Sequence, residues 1–182
     1  MKPFIDYQRT VAGAGSGPHT VTSRVFVVIL ALALGGMAGS AYGLGETCTV
    51  SSNGVSFGVY NVFNSVDNDS VGTIQVSCSA LVAIRINYSI ELNKGGSNSY
   101  TLRSMSGGAG HSLNYNLYTD TNRTIVWGDG TGGTQTVSGS FSLTLFIHSD
   151  ARDHAVYGRI PARQNAYVGS YTDTTITITI NF

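Results

Sequence analysis

Charge is scarce in this chain. Its 182 residues include only 10 basic and 10 acidic side chains, 11% in all, against about a quarter in ordinary soluble domains. Nothing resembling a basic stripe is present, so a nucleic-acid partner is excluded on electrostatic grounds. Helical periodicity is nearly absent, which excludes helix bundles and doubly wound α/β folds. There are two cysteines, neither in a CxxC pair nor next to a histidine, so a redox or zinc role is not indicated. Disorder is excluded as well, because 42% of the residues are hydrophobic. Scarce charge with abundant Thr, Ser, Asn and Gly describes a polar, weakly charged surface of the kind extracellular β-proteins carry.

The one long apolar run, residues 25–34, follows Arg24 and precedes Gly35, Gly36, Ala38, Gly39, Ser40 and Ala41. It is too short for a membrane span, which needs about 20 apolar residues. Basic residue, apolar run and small residues together read as a secretory signal, with cleavage after Ala41 or Gly43. Residues 1–43 are therefore an upstream segment plus signal, and residues 44–182 the mature domain, with no membrane span of its own. Residues 1–20 are polar and lie ahead of an already adequate signal, and translation from Val21 would give a normal one. Removing residues 1–41 takes away Lys2, Arg9, Arg24 and Asp6, leaving seven basic and nine acidic side chains, net −2. Cys48 and Cys78 lie in the exported part, where an even count favours a disulfide.

Alternation with a period of two dominates the mature chain. Ile84, Ile86, Tyr88, Ile90 and Leu92 share one face, with Arg85, Asn87, Ser89 and Glu91 on the other. This is the pattern of a strand between core and water. Similar strands are expected at Cys48–Val50 resuming at Val55–Tyr60, at Ile74, Val76 and Cys78, at Leu102–Met105, and at Leu113, Tyr115 and Leu117. Two more follow, with Phe141, Leu143, Leu145 and Ile147 on one face and, last, Ile176, Ile178, Ile180 and Phe182 alternating with Thr175, Thr177, Thr179 and Asn181. Short strands between Gly/Asn/Ser turns point to an all-β sandwich.

Catalytic patterns do not converge. His148-Ser149-Asp150 are adjacent, so on a strand they face opposite ways and cannot form a triad. Asp67, Asn68 and Asp69 lack the spacing and closing glutamate of a calcium loop and read as a solvated turn. Asp120 and Asp129 flank Trp127, but nothing in the sequence brings them together. Residues 128–133 are glycine-rich with no helix after them, so they are no phosphate cradle. No enzyme activity, cofactor or metal is expected. A soluble glycan- or surface-binding domain is the competing reading, with Trp127, Tyr118, Tyr157 and Tyr171 as a candidate aromatic platform, although such aromatics are more often core or sheet-face residues.

Several segments together resemble the spore coat protein U domain, shared with subunits of archaic (Csu-type) chaperone–usher pili. They are Cys48-Thr49-Val50, Phe57-Gly58-Val59-Tyr60, Gly72-Thr73-Ile74-Gln75-Val76-Ser77-Cys78, and Leu113-Asn114-Tyr115-Asn116-Leu117-Tyr118. Trp127-Gly128-Asp129-Gly130, Tyr157-Gly158-Arg159-Ile160 and Gly169-Ser170-Tyr171-Thr172-Asp173 complete the set. The resemblance implies an incomplete immunoglobulin-like β-sandwich of six strands, the seventh supplied by a periplasmic chaperone and then by a neighbouring subunit. It also implies an outer-membrane usher, passage through the periplasm to a cell-surface fibre, and a structural, adhesive role in biofilm attachment or a coat.

The terminal strand suits such an acceptor. Ile176, Ile178, Ile180 and Phe182 make an apolar face at an uncovered edge, a hazard unless another strand pairs with it. Rod subunits of the family carry a donor segment before the first cysteine. Here Tyr42-Gly43-Leu44-Gly45-Glu46-Thr47 stands in that place, with two glycines that weaken it as a strand. The subunit is therefore expected to accept a strand without giving one, at a fibre tip.

Overall fold

The computed structural model describes the backbone of residues 4–9, 46–145 and 148–182, with side chains for the last two stretches. Nine strands follow in chain order: β1 (Phe4–Arg9), β2 (Thr47–Ser52), β3 (Asn68–Ser79), β4 (Ile84–Leu92) and β5 (Arg103–Gly107), then β6 (Ser112–Tyr118), β7 (Val137–Leu143), β8 (Ser149–Ile160) and β9 (Tyr171–Asn181). Two 3₁₀ turns, Gly95–Ser97 and Gly108–Gly110, are the described helical pieces. The strands pair in the order β2-β3-β8-β6-β5-β9-β4-β7, with β1 alongside β9. The sheet folds over on itself into an immunoglobulin-like β-sandwich. Tyr88 of β4 and Phe141 of β7 on one layer reach His154 and Arg152 of β8 on the other.

Eight strands lie within residues 47–182, two more than the six expected. β4 and β5, which lie end to end along one side of β9, account for one of the two. Alternation places β4 as expected: Ile86, Tyr88, Ile90 and Leu92 are buried, while Arg85 and Asn87 are exposed. Cys48 and Cys78 stand directly opposite each other on antiparallel β2 and β3 and form a disulfide inside the core.

Three details differ from the sequence reading. Val55 to Tyr60 is irregular chain rather than a resumed strand, yet Val55 and Phe57 are buried. They fill space left by glycines: a Cβ on Gly158 would lie 2.6 Å from the Phe57 ring, and one on Gly72 would lie 2.9 Å from Val55 Cγ2. β8 was not anticipated. Its first half is mostly exposed and charged, and one of its three buried positions is Gly158, so its alternation is faint. It is nonetheless central, matching all twelve residues of β3 from Asn68↔Ile160 to Ser79↔Ser149. β7 ends at Leu143, so Leu145 lies beyond the strand and is exposed, while Ile147 lies outside the described residues.

Candidate functional site: the β9 edge

β9 is built by alternating Ile and Thr, a β-branched pairing that suits a half-buried pleated surface. Ile176, Ile178 and Ile180 are buried in the core, with Tyr171 and Asp173 at the strand start. The alternation skips once, at Thr174 and Thr175, which are both exposed. The Asp173 carboxylate holds this bulge. Its Oδ1 accepts bonds from the Thr175 amide (3.0 Å) and hydroxyl (2.6 Å), and its Oδ2 accepts one from the Tyr115 hydroxyl (2.8 Å). A buried carboxylate is tolerated only with such partners.

One side of β9 is closed by its own domain. β4 pairs Ile178 to Asn181, and β5 pairs Tyr171 and Thr172. Asn93 bridges the gap between them: its amide donates to the Thr177 carbonyl (3.1 Å), its Oδ1 accepts from the Thr177 amide (2.9 Å) and its Nδ2 donates to the Thr175 carbonyl (2.9 Å). The other side is covered from outside the domain. β1 runs parallel to β9, from Phe4↔Thr172 to Arg9↔Ile178. Residues 10–46 separate it from β2.

Of the four positions expected to line a groove, the structure brings Ile176, Ile178 and Ile180 onto one buried face. Phe182 departs from that set. It lies past the strand end, 44% exposed, with its ring 6.4 Å from that of Tyr88. β1 pairs only as far as Ile178, so Ile180 and Phe182 stand beyond the covered stretch.

Arg103 was missed by sequence reasoning. It is fully buried in β5, on the same face as Met105. Its guanidinium donates to the Asn93 carbonyl (2.7 and 3.1 Å), the Trp127 carbonyl (2.7 Å) and Asn116 Oδ1 (2.7 Å). The planar five-donor fork of arginine matches several fixed acceptors at once. By gripping Asn93, Arg103 secures the residue that completes the closed side of β9. Tyr100 lies against this cation and near Asp129, and its hydroxyl pKa is pushed up to about 12, by burial first and by Asp129 second.

The candidate chemical residues do not converge. Asp150 pairs with Arg152 (2.8 Å). Asp67 and Asp69 pair with Arg159 (3.3 and 2.7 Å), and Asp69 also with Arg123 (3.2 Å). The Arg159 hydrogen bond holds the Asp69 carboxyl below its ordinary range. Asp120 caps Thr124 and Ile125, whereas Asp129 caps Thr131. Among the described residues, no three His, Cys, Asp or Glu side chains are placed to hold a metal ion. No described helix is long and apolar enough to cross a membrane. The aromatic platform does not form: Trp127 is fully buried, donating from its indole to the Ile90 carbonyl (3.0 Å), and Tyr171 is buried too.

A second surface went unnoticed in the sequence. Val59, Phe63, Tyr167 and Val168 are exposed by 64–97% and line a groove of about 480 Å³ at one end of the sandwich. Their sequence signal is weak, since apolar residues inside Asn- and Gly-containing loops carry no periodicity.

Comparison with known proteins agrees with this architecture. A chain in the crystal structure of the CsuC–CsuE chaperone–tip adhesion subunit pre-assembly complex, from archaic chaperone–usher Csu pili of Acinetobacter baumannii, superposes with a TM-score of 0.52 at 18% identity. The match covers 75% of this chain and 40% of that one, and it shows a shared fold. Protein U of Myxococcus xanthus is 31% identical over 151 residues, covering 76% of this chain and 79% of its own length. Residues 40–179 match the model of the Spore Coat Protein U domain, a span that takes in the disulfide, the buried Trp127 and nearly all of β9. The chain belongs to the Spore Coat Protein U domain family.

Proposed function

We propose that this protein is a secreted structural subunit of a chaperone–usher pilus or coat, and that its β9 edge takes a strand from a partner. One observation carries the reading. The domain closes one side of β9 with its own strands, while the other side, Thr172 to Ile178, is paired by a strand from outside the domain. Adding a strand there gives main-chain hydrogen bonds along the edge, and alternate side chains meet a face built on Ile176 and Ile178. In this reading a periplasmic chaperone supplies the strand first, and a neighbouring subunit replaces it at an outer-membrane usher. The fold shared with the Csu complex and the family membership support it. No catalytic chemistry enters the role.

The place in the fibre is the tip, because the segment before Cys48 makes a poor donor. Tyr42 to Gly45 lie outside the described residues, so this part rests on composition. Attachment to surfaces is supported by the exposed end carrying Phe63 and Val168. The glycan-binding alternative loses its main support with Trp127 in the core.

Ile178→Asp tests the edge. It puts a carboxylate on the buried face of β9, at a cost of several kcal/mol unless neutralised. The variant, expressed with a chaperone and usher, is expected to be degraded in the periplasm and absent from fibres. Normal assembly of Ile178→Asp would refute the strand-accepting role. For position, the natural chain should stop at a one-to-one chaperone complex, whereas one given an alternating apolar segment before Cys48 should form ladders. Spontaneous ladders from the natural chain would refute the tip assignment.

A further inference from the structure

We propose that Asn122 is an N-glycosylation site, which accepts an oligosaccharide from a lipid-linked diphosphate donor. The acceptor pattern Asn-x-Ser/Thr occurs three times, at Asn68-Asp69-Ser70, Asn87-Tyr88-Ser89 and Asn122-Arg123-Thr124. Bacterial transferases that act on exported chains also read an acidic residue two places before the asparagine, and the relatives named above are bacterial. Asp120 stands in that place for Asn122, whereas Val66 and Arg85 stand there for the other two. The fold makes the same selection. Asn68 opens β3 opposite Ile160, and its Nδ2, the atom that would carry the sugar, already donates to the Phe57 and Val59 carbonyls (both 3.2 Å). Asn87 lies inside β4, paired with Ser140 of β7. A transferase must bend the chain around the asparagine, and a strand held in a ladder cannot bend without breaking it. Asn122 sits in a turn and is exposed, and its side chain has no partner among the described residues.

The turn is anchored at its base and free at its apex. The Thr119 amide donates to the Ile125 carbonyl (3.0 Å), and Tyr118 bridges to Val126. Arg123 ties the turn to β8 and β3, donating from Nε to the Gly158 carbonyl (3.0 Å) and pairing with Asp69 (3.2 Å). Asn122 is thus presented on the layer of β3 and β8 rather than that of β9, and the site stands independently of the strand-accepting reading. The Thr124 hydroxyl, which the acceptor pattern requires, donates to Asp120 Oδ2 (2.8 Å). That bond is exposed, so water can replace Asp120 and free the hydroxyl when the turn opens locally. In the transfer, Asn122 Nδ2 attacks the anomeric carbon of the donor sugar. The carbon–nitrogen bond forms as the carbon–oxygen bond to the diphosphate breaks. The lipid diphosphate leaves with the electron pair, and one amide proton passes to solvent. The product is a bulky, hydrated group on a surface that carries little charge.

The test uses the folded, disulfide-bonded chain, incubated with a bacterial oligosaccharyltransferase and a lipid-diphosphate-linked oligosaccharide of known mass. Intact mass should rise by one oligosaccharide, and peptide mapping should place it on Asn122. Asn122→Gln and Thr124→Ala should each abolish the addition, while Thr124→Ser, Asn68→Gln and Asn87→Gln should keep it. Asn122 is exposed and makes no bond, so Asn122→Gln should melt at the wild-type temperature, which separates loss of the acceptor from loss of the fold. A synthetic peptide covering residues 117–127 shows that the enzyme is active. Modification of the peptide without the folded chain would overturn the proposal, as would an addition that survives Asn122→Gln. The chain isolated from the cells that make it should carry carbohydrate at the same residue, and an unmodified Asn122 there would also overturn it.

Discussion

At the disulfide flank the outermost strand, β2, is six residues long, exposes Thr47, Thr49 and Ser51, and is tied to β3 by the Cys48–Cys78 bond. Across the molecule, β9 is eleven residues long, carries three buried isoleucines, and on one side is paired by a strand from outside the domain. Both are edges, managed in opposite ways. A short, polar, stapled strand offers little template for another chain, whereas a long strand with an apolar face offers a good one. The β9 side has a staple too, but a noncovalent one: Arg103, which grips Asn93 and Trp127.

Breaking the noncovalent staple should cost the most. Arg103→Met leaves the Asn93 and Trp127 carbonyls and the Asn116 side chain short of a buried donor, and about 3–5 kcal/mol of stability should be lost. Urea denaturation measures this. A loss below about 1 kcal/mol would mean that Arg103 does not hold the β9 side together. Cys48→Ser with Cys78→Ser should come next. The bridge closes a separation of 30 residues, worth about 3.5 kcal/mol on the chain-entropy account. The two flanks are then distinguished by reductant: dithiothreitol should lower the melting temperature of the wild-type chain and leave the serine variant unchanged.

Gly158→Ala tests the packing behind the disulfide flank. The added methyl meets Phe57 and Val55, and overpacking of this kind costs about 1–3 kcal/mol. Recovery in a Gly158→Ala, Phe57→Leu double variant would show that the clash is the cause. The smallest effect is expected where the two layers meet. The Tyr88 hydroxyl lies 2.8 Å from His154 Nε2, and burial lowers the His154 pKa below its ordinary 6.5. Because the folded form holds the proton less well than the unfolded one, this contribution is complete above about pH 6.5. It is lost progressively as pH falls through the lowered folded value. Melting temperatures from pH 7.5 to 5 should fall more steeply for the wild-type chain than for His154→Gln. Parallel curves would remove the histidine from the account.

Legibility in the sequence followed the strength of alternation. β4, β6 and β9 were readable because large apolar residues recur at every second position on a half-buried surface. β8 was not, because it owes its central place to backbone pairing with β3 and packs through Gly158, which leaves no apolar mark. Arg103 escaped for a related reason. A charge reads as exposed until the acceptors that satisfy it are known, among them the carbonyl of Asn93, 10 residues away in the chain.

Composition and local pattern were enough to establish an all-β domain with a cysteine pair and an apolar last strand, since each depends on residues close together in the chain. Which edge stays open, what covers it, and which polar groups are buried depended on contacts between distant segments. Phe4–Arg9 lies more than 160 residues from the strand it pairs with, and no local pattern carries that information. Backbone hydrogen bonding makes the pairing, and it is indifferent to side-chain identity until the fold brings two edges together.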